Sequence, residues 1–145
     1  MTLKTLMASA AIATLPVAAF ADDSATNKEL VLDALQTLML DGDLDKVTTF
    51  YADDIIQHNA MFADGIASQT GVFAMLSGNE GFAAEFVRVI ADDDMVAVHA
   101  RYEGFGPTAM IAFDVFRVED GKIVEHWDNK EPIPPRAELT NSGKF

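Results

Sequence analysis

The chain of 145 residues contains no cysteine. Disulfides and thiolate metal sites are therefore excluded, and the fold must stand on its packed core alone. Basic residues are also scarce, 10 Lys and Arg against 23 Asp and Glu, a formal net charge of -13. A polyanion repels phosphate, so nucleic acid and anionic lipid are not expected partners. No G-x-S-x-G elbow surrounds any serine, and no glycine-rich phosphate loop follows a strand-like run, which removes the usual serine hydrolases and nucleotide binders. The three histidines, His58, His99 and His126, form no H-x-H or H-x-x-E-H cluster. No metal site is assigned on that spacing, and no cofactor is expected.

What is present describes one globular domain behind a leader. Half of the residues are hydrophobic and 23% are charged, a composition able to fill a single core. "MTLKTLMASAAIATLPVAAFADD" carries Lys4, an apolar run from Leu6 to Ala18, then small residues at Ala19 and Ala21. This is the layout of a secretory signal peptide, with cleavage expected after Ala21, and the apolar run is short for a membrane span. The expected division is residues 1–21 as signal peptide, 22–131 as folded domain and 132–145 as a proline-containing tail. The expected address is the periplasm or the extracellular space, with no membrane attachment after cleavage.

Within the domain, Thr26-Asn27-Lys28-Glu29 reads as a capping box with Thr26 at the N-cap. Leu30, Val31, Ala34, Leu35, Leu38 and Met39 then recur at helical spacing, and Gly42 is placed to stop the helix in a left-handed conformation. A second helix is expected from about Leu44 to Tyr51, with Val47, Phe50 and Tyr51 inward. A short strand follows at "IIQHNA", and a third helix from about Gln69 to Leu76, capped by Ser68, with Val72, Phe73 and Leu76 buried.

From Phe82 the period changes. "AEFVRVIA", "MVAVHARYEG", "AMIAFDVFRVE" and "KIVEHWD" are strand-like runs rich in Val, Ile, Phe and Tyr, and Asp120-Gly121 between the last two is a strong hairpin signal. Pro132, Pro134 and Pro135 argue against a regular central strand in the tail from Glu131. Helices gathered before a run of sequential strands imply an α+β fold. We expect a cone-shaped, curved antiparallel sheet with the N-terminal helices on one face, enclosing a pocket. Apolar residues on both faces of the meander predict a homodimer, because one helix layer covers only one face.

Polar residues interrupt these runs where a structural strand needs none. Gln57, His58 and Asn59 follow Ile55 and Ile56, His99 and His126 lie in strands, and Asp114 sits inside "IAFDVF". By strand parity Asp114 shares a face with Met110, Ala112, Phe116 and Val118, where an unpaired charge is costly. Each of these residues taken singly is explained as a satisfied core or edge residue. Together, on several strands of one small sheet, they point to a shared cavity. Asp and His without metal or nucleophile suit proton transfer next to a carbonyl, with a second group donating to the developing enolate.

"YADDIIQHNAMFADG", "RVIADDDMVAVHARYEGFG" and "IAFDVFRVEDGKIVEHWDN" together resemble the SnoaL-like branch of the nuclear transport factor two-like superfamily, over roughly Leu30 to Pro132. The resemblance implies a cone-shaped fold with a deep pocket, and cofactor-independent cyclase chemistry run by a pocket aspartate. Position by position, Asp114 matches that aspartate, His58 and Asn59 match a Gln-His-Asn segment near the pocket mouth, and His99 and His126 match recurrent histidines. The expected catalytic set is Asp114, His99 and His58, with Asn59, Tyr102, Phe116 and His126 binding substrate. The expected function is a lyase or isomerase acting on a hydrophobic carbonyl compound. The alternative is a non-catalytic periplasmic protein of the same fold that binds a small hydrophobic molecule or serves as an assembly module.

Overall fold

The computed structural model describes residues 23–76 and 79–145, with the side chains of Val72, Phe73 and Leu76 excepted. The leader expected at residues 1–21 lies outside the described residues, and the burial expected of Val72, Phe73 and Leu76 in the third helix falls on side chains that are not described. No helix among the described residues is long and apolar enough to cross a membrane.

Helix α1 spans Ser24–Gln36 and buries Val31, Ala34 and Leu35. It begins two residues before the expected cap, so the Thr26 capping box does not form. Tertiary contacts decide this start. The Ser24 hydroxyl accepts from Asp93 N at 3.0 Å, and Asn27 Nδ2 donates to Asp93 O at 2.9 Å, which ties the first turn to a distant hairpin. One π-helical turn, Thr37–Asp41, follows, and Gly42 ends it at φ 66°, the left-handed stop expected.

Helix α2 is only Leu44–Val47, capped by the Asp43 carboxylate accepting from Lys46 N at 2.9 Å. The expected continuation to Tyr51 fails because Ile123 N donates to Phe50 O at 2.8 Å. That bond draws the chain out as β1, Tyr51–Gln57. Helix α3 spans Ile66–Leu76. Ser68 lies inside it, not at its cap, and its hydroxyl accepts from Ala63 N at 3.0 Å.

The remaining strands are β2 (Ala83–Asp92), β3 (Met95–Glu103), β4 (Met110–Glu119) and β5 (Lys122–Pro132). They form the expected antiparallel meander, and the sheet order is β1-β5-β4-β3-β2. The β4–β5 turn carries φ 50° at Asp120 and φ 71° at Gly121, the left-handed pair that an Asp-Gly hairpin supplies. Two details depart from expectation. Strand β1 runs parallel to β5, so the sheet is mixed. Strand β5 also continues through Glu131 to Pro132, which pairs with Met110, a strand end where proline is tolerated.

Irregularities in register in the β1–β5, β2–β3 and β4–β5 pairings bend the sheet, and the helices pack into its concave side. The core there consists of Val96, Val98, Ala100 and Tyr102 of β3 with Ala112, Phe116 and Val118 of β4, against Val31, Ala34 and Leu35. The architecture is a cone-like α+β fold, as expected.

Candidate active site on the concave face

Alternation along β4 places Asp114 on the concave face, where it is 1% exposed. Its register neighbours are Val98 on β3 and Asp128 on β5. Leaving a carboxylate here without partners is costly, and two groups meet it. The Tyr102 hydroxyl donates to Asp114 Oδ2 at 2.8 Å, and His126 Nε2 lies 3.5 Å from Asp114 Oδ1. Burial, then the charge on Asp114, pushes the Tyr102 hydroxyl well above its ordinary 10.0, and the same two causes raise Tyr51. Both phenols stay protonated, so the carboxylate keeps Tyr102 as its donor.

The polar run Gln57-His58-Asn59 is explained by β5. Each residue grips a side chain of "EHWD" across the parallel pairing. Gln57 Oε1 meets His126 Nδ1 at 3.0 Å, His58 Nε2 meets Glu125 Oε1 at 2.7 Å, and Asn59 Nδ2 donates to both Asp128 oxygens at 2.8 and 2.9 Å. The Asp128 carboxylate also pairs with the Lys130 ammonium. Burial pulls Lys130 below its ordinary lysine range, partly opposed by the charge on Asp114.

His126, Asp128 and Lys130 share the concave face of β5 and form the polar wall of a cavity. Leu35, Leu38, Phe62 and Phe105 form its apolar wall. Its free interior volume is ≈ 30 Å³, room for a water or two rather than a large ligand. Phe116 also lines it and stacks on the His126 ring at 4.7 Å. Asp114 sits behind His126 and does not itself line the cavity.

The sequence-assigned residues are thus divided by the sheet. Asp114, Tyr102, Phe116, His126 and Asn59 come together on the concave side. His99 does not join them, because it is in register with Phe113, on the opposite face from Asp114. There it stacks on Phe113 at 4.4 Å and on Phe145 at 5.0 Å, with Arg88 Nη1 2.9 Å from its Nδ1. Burial, then the Arg88 charge, lowers the His99 pKa. His58 lies on that outer side as well, stacked on Trp127 at 4.6 Å. Neither histidine can orient Asp114; the imidazole at Asp114 is His126.

Residues that sequence reasoning left out of the site are Tyr51, Asp128 and Lys130. Parity along β5 was the available signal for the last two, since 126, 128 and 130 must share a face. Asp114, His126 and Asp128 can each offer a ligand atom within 4.8 Å of the others. That donor set suits a divalent cation chemically, but an ion there would have to displace Lys130 from Asp128 and compete with Tyr102 for Asp114.

The family model of the SnoaL-like domain matches residues 31–126. None of the curated proteins matches the sequence. Among solved structures, an LEH-like epoxide hydrolase from M. tuberculosis is 23% identical, covering 75% of this chain and 85% of that one, with a TM-score of 0.62. A SnoaL-like polyketide cyclase from Agrobacterium tumefaciens is 14% identical over 72% of this chain and 91% of that one, TM-score 0.60. TsrD from Streptomyces laurentii is 13% identical over 73% and 89%, TM-score 0.63. At these identities the structures establish a shared fold and nothing finer. With the family model spanning well over half of the chain, the protein belongs to the SnoaL-like family of the nuclear transport factor two-like superfamily.

Proposed function

We propose that the protein is a cofactor-independent lyase or isomerase that moves a proton on a small hydrophobic carbonyl compound. The observation that carries this reading is the buried Asp114 carboxylate 3.5 Å from His126, with His126 on the wall of an otherwise largely apolar cavity. Asp114 and His126 act as one acid/base unit. His126 meets the substrate edge of the cavity, and Asp114 balances the charge that His126 gains. Lys130 and the protonated Tyr51 also line the cavity, within reach of an oxygen that becomes anionic as an enolate forms. Membership of a family with a polyketide cyclase among its solved relatives supports the same class of chemistry by analogy.

The protein is proposed to act after export, as the layout of residues 1–21 suggests, and as a homodimer. The outer sheet face carries Phe113, Ile90 and Ile56, each between 45 and 68% exposed, which a second copy would cover.

The small free volume favours one second reading, a non-catalytic protein that binds a small hydrophobic molecule. A thermal-shift screen against hydrophobic ketones and aldehydes, repeated with Asp114→Asn, separates the two. The catalytic reading expects a hit that wild type converts and the variant only binds. A hit that neither protein converts supports the binding reading.

A further inference from the structure

Gln57 of β1 stands in register with His126 of β5, and its amide is the only partner of His126 Nδ1 among the described residues. The orientation of that amide, Oε1 toward Nδ1, has two consequences. It leaves Gln57 Nε2 buried with no partner among the described residues. It also sets the imidazole between two acceptors, Gln57 Oε1 at 3.0 Å and Asp114 Oδ1 at 3.5 Å. Only an imidazolium, with a hydrogen on each nitrogen, satisfies both. A neutral imidazole has one N–H, so one of its nitrogens would turn a lone pair toward an oxygen.

Rotating the Gln57 amide by half a turn about its last bond resolves the neutral case. The NH2 group then donates to Nδ1, and His126 keeps its single hydrogen on Nε2, facing Asp114. The two ends of an amide have nearly the same shape, so the rotation needs little repacking. It also exchanges a buried unpartnered N–H group for an unpartnered carbonyl, the less costly orphan.

We propose that Gln57 is a proton-state switch for the Asp114–His126 pair, presenting its oxygen to the imidazolium and its NH2 group to the neutral imidazole. A residue with a fixed acceptor at position 57 would hold the pair protonated, and one with no hydrogen-bonding group would favour the neutral ring. An amide serves both, which suits a pair that must take a proton and return it within one turnover. That functional consequence rests on the acid/base reading above; the switch itself does not. The other groups around the pair are Tyr102 on β3, Tyr51 on β1, and Asp128 and Lys130 on β5. Glu125 is directed to the other face, toward His58 and Arg117.

The test uses the full chain with 15N-labelled histidine and glutamine. The His126 ring nitrogens are followed by long-range 1H–15N correlation spectra between about pH 5 and pH 8, and assigned with a His126→Asn variant. The titration midpoint of His126 is expected to fall in the order Gln57→Glu, wild type, Gln57→Met. Wild type above its midpoint should carry the hydrogen on Nε2, whereas Gln57→Glu should retain it on Nδ1. In wild type alone, the Gln57 side-chain amide signals should shift with the same midpoint as His126, which keeps the test decisive if a variant fails to fold. Equal midpoints and tautomers in all three proteins, or Gln57 amide signals that ignore the His126 titration, overturn the switch. A protein that shows the switch yet moves no proton on any carbonyl probe refutes the acid/base function alone.

Discussion

The Tyr102 hydroxyl donates to Asp114 Oδ2 at 2.8 Å, joining two side chains that are 0 and 1% exposed. Removing the donor leaves a buried carboxylate with one contact fewer. Tyr102→Phe should therefore cost about 1–3 kcal/mol of stability, read from urea denaturation. Combining it with an apolar residue at position 114 should recover part of that loss, because the unpaired acceptor is gone. A Tyr102→Phe protein as stable as wild type would mean that the bond contributes nothing.

Tyr51 and Tyr102 are the two tyrosines of the chain, and both hydroxyls are raised above their ordinary 10.0 by burial and by Asp114. Below pH 10.0 both folded and unfolded chains hold these protons, and the contribution to stability is complete. Above it the unfolded chain releases them first, so stability falls as pH rises toward the folded values. Tyrosinate absorbance at 295 nm should therefore stay low near pH 10 and appear together with unfolding. Free titration of either tyrosine in the native protein at its ordinary value contradicts this.

His99 sets an acid limb. Its folded pKa lies below the ordinary 6.5, through burial and then Arg88. The unfolded chain therefore takes up the proton first as pH drops, and stability present above 6.5 is lost toward the folded value. Glu125 adds a lower step. Arg117 and His58 hold it below its ordinary 4.5, and that contribution disappears as pH falls through its folded value. His99→Phe, which preserves the stack between Phe113 and Phe145, should flatten the upper limb and leave the lower one. An unchanged upper limb in that variant would assign it elsewhere.

Phe113 stands on the outer sheet face and is 52% exposed. If a second copy covers this face, Phe113→Asp should shift the protein from dimer to monomer in sedimentation equilibrium, with retained folding checked by circular dichroism. A wild-type protein that sediments as a single chain at micromolar concentration removes the dimer.

Much of this arrangement is legible in single residues. Asp120-Gly121 announces its hairpin, Gly42 its helix stop, and the alternation of β4 puts Asp114 inward without any knowledge of partners. What stays hidden depends on contacts distant in sequence. The Thr26 capping box loses to the bonds that Ser24 accepts from, and Asn27 donates to, the Asp93 backbone, and α2 is cut short by the Ile123 bond to Phe50. The partner of Asp114 is hidden for the same reason. Three histidines are available, and only the register of β3, β4 and β5 shows that His99 faces away while His126 faces in. Lys130 resembles an ordinary surface lysine ahead of a proline-rich tail until the β5 pairing turns it toward Asp128.

Asp114 and His126 are proposed as the acid/base pair of the cavity. Deuterium exchange at the α-carbon of a small ketone such as butanone, followed by 1H NMR in D2O, tests it without knowledge of the natural substrate. Wild type should accelerate exchange over buffer, and Asp114→Asn should lose about 10²–10⁴-fold of that acceleration, with retained folding checked by circular dichroism. Full acceleration in Asp114→Asn, or none in wild type, would mean that Asp114 and His126 are not an acid/base pair.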